Sequence, residues 1–593
     1  MMSDVFAANS GGETSSSGQS ANDNDNEEDY SFDYDDYVEL TDQTLLKIEQ
    51  NDPSITLLRW DYSYFVNDDD DDDNNEKSKR VGNAIGNNTH IKGLGGDTNF
   101  LDTNLCRGIA NNQSIKHLDF MDIDDLSEEK ITTLFPIFEH NYIESIHLCQ
   151  CEIDGGSEYI NTALTSALSK FNTLRSISLD SLCVDNLDEF VDIMRELQRH
   201  HNLSSLGLNF GWMESTAWSS VGEVLKACKV KALEMVRCSI NDENAALLVN
   251  ALKENDTLRE LFFFGYEFDP HDRDTQLYAA GWRSLFSLVT SHSLEKLSIT
   301  EADIYNDDVI ELAEKLANNS TLKELSLGGK RNLTRVGWRA IFTSLQTTSA
   351  LESLTIDMAK DVNDGDLAVL VSVIGNSTLK ELSFEGYYNS DLSVQRSIST
   401  QGWRPLAQML GDTNRCKLEK LSMRSNIVGD EVVIDMAHAL VNNTCLREWD
   451  MTNNYLITAR GWDALSTLLC DMSSIGNTYS SNHIISVDSQ LTTTRLNDLS
   501  NINKNKSISD AARKKIMKYH FTSTEQVGTS LGMRVVSEMD WVVLPQVIAW
   551  AGRKHDNEGC TTLYQLLRCI PELVEDQTLT KTGVGEKRKI GCL

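Results

Sequence analysis

Residues 294–327 read LEKLSITEADIYNDDVIELAEKLANNSTLKELSL, and this stretch decides the fold. It opens with Leu294-x-x-Leu297-x-Ile299 and closes, 28 residues on, with Leu322-x-x-Leu325-x-Leu327. In each motif the last two apolar residues are two apart, so they point to one face of a strand. Between the motifs, Val309, Leu312, Ala313 and Leu316 fall at i, i+3, i+4 and i+7, the stripe of an amphipathic helix. One such unit cannot bury its strand face and its helix stripe alone, so copies must stack around a shared core.

Working outward, the strand motif recurs along most of the chain. It occurs at Ile115-Leu118-Phe120, Ile143-Ile146-Leu148, Leu174-Ile177-Leu179, Leu203-Leu206-Leu208, Val230-Leu233-Met235 and Leu258-Leu261-Phe263. Beyond the opening stretch it continues at Leu351-Leu354-Ile356, Leu379-Leu382-Phe384, Leu418-Leu421-Met423 and Leu446-Trp449-Met451. Weaker copies start at Ile55 and Ile91, and a degenerate last one near Ile475. Most successive starts lie 27 to 31 residues apart, which is the mark of a solenoid of strand-plus-helix repeats. Asparagine pairs follow the helices (Asn111-Asn112, Asn318-Asn319, Asn442-Asn443). Asn tolerates left-handed backbone, so these are expected as turn residues that end each helix.

In period, strand motif and helix pattern the chain resembles the ribonuclease-inhibitor-like class of leucine-rich-repeat proteins, over roughly residues 41–490. The resemblance implies an α/β fold: a leucine-rich-repeat solenoid, or horseshoe, with an inner parallel sheet and outer helices. The family's Asn or Cys after the strand is present at Cys151, Cys238, Asn426 and Asn454 but not at Tyr266, Lys330 and Tyr387. Gly-Trp recurs on alternate repeats, at Gly281-Trp282, Gly337-Trp338, Gly402-Trp403 and Gly461-Trp462, with a partial copy at Trp218. Thr334, Ser399 and Thr458 precede three of these and are expected to cap helices. The tryptophans are expected to pack against the neighbouring repeat. The repeats starting at Leu258 and Leu379 are longer, with the extra residues between strand and helix, so both insertions should emerge on one edge.

Composition sets the outer limits. The formal charge is −37, and residues 1–80 hold 22 Asp/Glu against 5 Lys/Arg. Duplex binding rests on Lys and Arg neutralising phosphates, so no nucleic-acid partner is expected. The segments expected are a disordered acidic tail at 1–40, the solenoid at 41–490 with a solvated acidic insertion at 67–80, a linker at 491–510, a helical module or cap at 511–575 with a basic pattern (Arg513, Lys514, Lys515, Lys518), and a disordered basic tail at 576–593. Neither a signal-peptide core nor a run of 18 apolar residues occurs, which points to a cytoplasmic or nuclear protein with no membrane partner. The twelve cysteines include no CxxC pair, so reduced, buried thiols are expected.

No phosphate-binding loop, GxSxG, HExxH or kinase motif is present, so no enzyme activity, cofactor or metal is expected. His200-His201 reads as a surface pair at a helix end. The fold instead offers a long strand face. Residues between the core positions, among them Asp119, His147, Ser178, Gly207, Glu234, Phe262, Ser298 and Ser326, should face its concave side. Most are small and polar. Val236, Phe262 and Phe264 stand out as an apolar patch flanked by Glu234 and Thr300, unless the segment after Gly265 shields them. Tyr266, Phe268, Tyr387 and Tyr388 should add contacts from the two long loops. The expected function is a protein-binding scaffold whose partner, of unknown identity, has a basic surface. Similar repeats also form the Ran GTPase-activating proteins, which is the alternative the resemblance raises.

Overall fold

The computed structural model describes residues 37–520 apart from 61–63, 65–70, 98–100, 122–127, 135–136, 138–142, 150–156, 171, 181–186, 210–212, 239, 266–278, 292–293, 318, 330–332, 349, 358–361, 376–377, 387–397, 413–414, 489–493 and 505. The chain divides into two units, 1–332 and 333–593. Among the described residues the first holds eleven strands: β1 (Val38–Glu39), β2 (Leu57–Trp60), β3 (Gly93–Asp97), β4 (His117–Met121), β5 (Ser145–Cys149), β6 (Ser176–Asp180), β7 (Ser205–Asn209), β8 (Ala232–Val236), β9 (Glu260–Phe264), β10 (Lys296–Ala302) and β11 (Glu324–Gly329). Each pairs in parallel with the next. The second unit repeats the plan with β12 (Ser353–Asp357), β13 (Glu381–Phe384), β14 (Lys420–Ser422), β15 (Glu448–Asp450) and β16 (Ser486–Asp488). A parallel pair needs a crossover, and a helix supplies it in each repeat.

The sequence pattern explains each repeat. Leu233 and Met235, then Leu261 and Phe263, then Leu297 and Ile299 are buried between sheet and helices. Helix Asn306–Leu316 buries Val309, Leu312, Ala313 and Leu316, the stripe its spacing predicts. Each buried side chain of this size contributes about 1.5–3 kcal/mol. The tryptophans of the Gly-Trp motif are core residues: Trp218, Trp282, Trp338, Trp403 and Trp462 are all buried. Thr334 and Thr458 cap their helices by accepting from the amides of Val336 and Arg460.

The glycine of that motif has its own cause. Before three of the four copies, at Gly281, Gly402 and Gly461, the first helical residue of the preceding repeat is an aspartate (Asp242, Asp364, Asp430) whose carboxylate accepts from the next repeat. Asp242 accepts from the Gly281 amide at 2.9 Å. Asp430 accepts from the amides of Thr458 at 2.8 Å and Gly461 at 3.2 Å and from the Thr458 hydroxyl at 2.6 Å. A Cβ on Gly402 would lie 2.2 Å from Asp364 Oδ1, and one on Gly461 2.7 Å from Asp430 Oδ1. Burial raises the Asp430 pKa, but the hydrogen bonds from Thr458 and Gly461 outweigh it and hold the carboxyl below its usual value.

The asparagine pairs are a different device from the one expected. The second asparagine is not a left-handed turn residue: Asn112 has φ −72° and ψ 134°. Its side chain is buried. Asn112 Nδ2 donates to the carbonyls of Ile85 (2.6 Å) and Asn88 (2.8 Å), while its Oδ1 accepts from the amides of Ser114 and Ile115. Asn319 donates to Val289, Asn443 to Leu410, and Asn482 to Leu440 and Asn443. An amide group matches this site because it donates backwards and accepts forwards in one plane. His200 occupies the same place, with Nε2 3.0 Å from the Leu168 carbonyl. It is buried rather than a surface residue, and burial lowers its pKa.

Two expected segments differ from what is found. The last residues of the acidic run begin helix Asp71–Asn87 instead of forming an insertion. Its later turns bury Val81, Ala84 and Ile85, and negative charge in a first helical turn complements the helix dipole. The stretch 491–510, expected as a linker, contains helix Thr494–Lys504, which buries Leu496, Leu499 and Ile502. Helix Ile508–His520 follows, and its lysines are not one basic face. Lys518 pairs with Asp498 at 2.8 Å. Lys515 is fully buried and donates to the carbonyls of Leu469 (2.6 Å) and Asn482 (3.0 Å) and to His483 Nδ1 (3.2 Å). It thus takes the place of the next asparagine in the ladder. Burial pushes its pKa down to about 7 and that of His483 to about 4. Three acceptors around one nitrogen match the three hydrogens of an ammonium, with His483 neutral. The terminal tails lie outside the described residues.

Candidate functional site

Register turns the strand face of the first unit into three rows. The central row runs Asp119, His147, Ser178, Gly207, Glu234, Phe262, Ser298, Ser326. Beside it, at the strand exits, Asn209, Val236, Phe264 and Thr300 align, and at the strand entries Ser205, Ala232, Glu260, Lys296 and Glu324. The structure therefore brings Glu234, Val236, Phe262, Phe264 and Thr300 together on neighbouring strands. Glu234 is directly opposite Phe262, and Val236 opposite Phe264. Glu234 is exposed; Val236, Phe262, Phe264 and Thr300 are half-buried. Tyr266, Phe268, Tyr387 and Tyr388, expected to join them, lie outside the described residues.

Backbone geometry sets the exits of these strands. Arg237 (φ 52°) and Glu301 (φ 50°) are left-handed, an unusual state for residues with a side chain. The Arg237 amide donates to the Phe264 carbonyl at 2.7 Å, and the Gly265 amide to Thr300 at 2.9 Å. A Cβ on Gly265 would sit 2.1 Å from the Glu301 carbonyl oxygen, so only glycine allows this close approach. Cys238 sits where the resemblance places it, its Sγ 3.3 Å from the Leu208 carbonyl. In the second unit Asn454 donates to the Met423 carbonyl at 2.7 Å.

Charges form a feature that motif reading missed. Lys296 lies 3.7 Å from Glu260 and 3.9 Å from Glu324. One residue earlier in each strand entry, Glu295 lies 2.6 Å from Lys323 and 3.9 Å from Arg259, and Glu144 pairs with Lys116 and Arg175. The signal was present as alternating sign at one repeat position: Lys116, Glu144, Arg175, then Arg259, Glu295, Lys323. Such half-exposed pairs contribute about 0–1 kcal/mol each and favour in-register neighbours. From β8 to β11 the strand face and its exits carry Glu234, Glu260, Glu301 and Glu324 against Arg237 and Lys296.

Another juxtaposition has chemical interest. Asp119 Oδ1 is 2.9 Å from His147 Nδ1, and Ser178 is next in the row. The Ser178 hydroxyl, however, is turned to Gly207, where a Cβ would lie 2.5 Å from its Oγ. The row thus holds a carboxylate–imidazole pair with the hydroxyl directed to the other neighbour. Among the described residues no group of three or more His, Cys, Asp or Glu gathers to hold a metal ion, and no helix is long and apolar enough to cross a membrane.

The stacked strand–helix repeats and their ladders define a leucine-rich-repeat protein. No family model matches the chain. It is 25% identical over 249 residues to NACHT, LRR and PYD domains-containing protein 14 of Mus musculus, an alignment spanning 42% of this chain and 23% of that protein. Among solved structures, it is similar to a chain of the Rad7 and Elc1 complex in yeast, at TM-score 0.41 and 17% identity, covering 66% of this chain and 91% of that one. A chain of the TLR13–ssRNA13 complex is similar at TM-score 0.33 and 12% identity, covering 68% of each.

Proposed function

We propose that the chain is a non-enzymatic scaffold of the ribonuclease-inhibitor-like type that binds a protein partner on the concave sheet face around β8–β10. The observation that carries this is the row structure: two phenylalanines and a valine meet on adjacent strands of a face whose other central-row side chains are charged or small and polar. Large aromatics in such a setting act as anchors, and the small neighbours allow close approach. The acidic balance of the face favours a basic partner over nucleic acid. In this reading the working compartment is the cytoplasm or nucleus.

The test is quantitative affinity capture from native cytosol with the intact chain and with Phe262→Ser/Phe264→Ser, matched for folding by circular dichroism. Loss of one specific protein in the variant is the expected result. Retention of the same set by both would remove the patch from the binding surface.

A further inference from the structure

We propose that the strand-entry edge of the first unit, from β3 to β9, binds an extended acidic segment of a partner protein. This does not rest on the Phe262 patch. The residue just before each strand forms one column joined by main-chain hydrogen bonds. The Lys116 amide donates to the Lys92 carbonyl at 2.7 Å, Glu144 to Lys116 at 2.7 Å, and Arg175 to Glu144 at 2.8 Å. Ser204, Lys231 and Arg259 continue the column, each donating to the one before at 2.7, 2.7 and 2.8 Å. Five cations and one carboxylate therefore stand in line, in a chain whose formal charge is −37. Arg175 is exposed, and the other four cations are half-buried.

Alternating charge would be enough to hold register, and two steps of the column break the alternation. Lys92 is next to Lys116, and Lys231 next to Arg259. Like charges on adjacent strands, about 4.8 Å apart at the backbone, destabilise a sheet. The carboxylates of the column do not restore the balance. Glu144 already serves both Lys116 and Arg175, and Glu295, the rung after Arg259, serves both Arg259 and Lys323. One residue further into the strands, from β3 to β8, come Gly93, His117, Ser145, Ser176, Ser205 and Ala232, which add no carboxylate. An excess of cations kept at a cost in stability fits an anionic occupant. The steps from Lys92 to Arg259 span about 29 Å, the length of about nine residues of extended chain. Carboxylates spaced along such a segment can bridge neighbouring cations. A nucleic-acid strand fits less well. Glu144 interrupts the column, the field of the whole chain is negative, and the column offers no aromatic side chain on which a base could stack.

The experiment uses the full chain and a labelled peptide of about nine residues alternating aspartate with serine, read by fluorescence anisotropy. Its counterpart with asparagine for aspartate and a single-stranded oligouridylate of the same length are run beside it. Lys92→Gln/Lys231→Gln removes one charge from each like-charged step. Lys226→Gln/Lys253→Gln, at exposed helix-side positions, makes the same change away from the column. The expected result is a loss of about tenfold or more with the asparagine peptide and with the Lys92/Lys231 pair, and little change with the helix-side pair. The melting temperature of the Lys92/Lys231 variant should not fall, because like-charge contacts are relieved. No binding of the aspartate peptide, equal losses with both lysine pairs, or tighter binding of the oligouridylate would overturn the proposal. So would a drop in melting temperature that accompanies the loss of binding, since it would assign these lysines to the fold.

Discussion

At the scale of the residue, the ladder of buried amides shows how much a single side chain decides. Each asparagine serves two repeats, donating to the carbonyls behind it and accepting from the amides ahead. Lys515 does the donating half of this at the last rung among the described residues. Replacing it with alanine leaves two buried carbonyls without a donor, and we expect a loss of about 2–3 kcal/mol, read by urea unfolding. Hydrogen exchange should show the loss concentrated in helix Ile508–His520. The histidines give a pH dependence with a definite sign. Burial holds His117 and His483 at about 4, below the ordinary 6.5, so the folded chain keeps them neutral while the unfolded chain takes up protons first. Stability from these groups is therefore full above pH 6.5 and is lost as pH falls from 6.5 through 4. Melting temperature measured across this range should fall with acidification, and His117→Gln should flatten part of the slope. The asparagines illustrate a limit of sequence reading. The same residue type suits a left-handed turn and a buried bifunctional amide, and only the backbone angle and burial tell them apart.

At the scale of the element, repeats are joined through the first turn of one helix and the start of the next. The Asp–Gly contact leaves no room for a Cβ, so Gly402→Ala and Gly461→Ala should each cost about 1–3 kcal/mol through overpacking. Gly411→Ala is the matched control: its Cβ would meet Ala439 at no less than 3.4 Å, and thermal melts should separate the three. The Gly-Trp spacing was legible as packing from periodicity alone. Its reason, a carboxylate one repeat earlier, was not, because it depends on which helices become neighbours. Helix Thr494–Lys504 was misread for a related cause. Its composition is that of a linker, yet Leu496, Leu499 and Ile502 share one face, and tertiary burial overrode weak propensity. A chain ending at Asp488 should expose the edge of β16 and the core beneath this helix, giving soluble aggregates by light scattering where the full chain stays dispersed.

At the scale of the whole molecule, the strand period made the class of fold and the identity of the open-face residues readable before any coordinates. Alternation of two puts Glu234, Phe262 and Ser298 on one side without further information. What it could not supply was the second dimension. Parallel register places Glu234 against Phe262 and Lys296 between Glu260 and Glu324, and from that register the patch acquires its acidic border. The claim that this face binds a protein is tested most directly by photocrosslinking in native cytosol. A photoreactive amino acid is placed at Ser298, beside Phe262 on the open face, and in a second variant at Leu247, exposed on the helix side. The account predicts one discrete protein adduct from position 298, competed by unlabelled full chain, and none of the same mass from position 247. That adduct from position 247 alone would place the partner on the helices and contradict it.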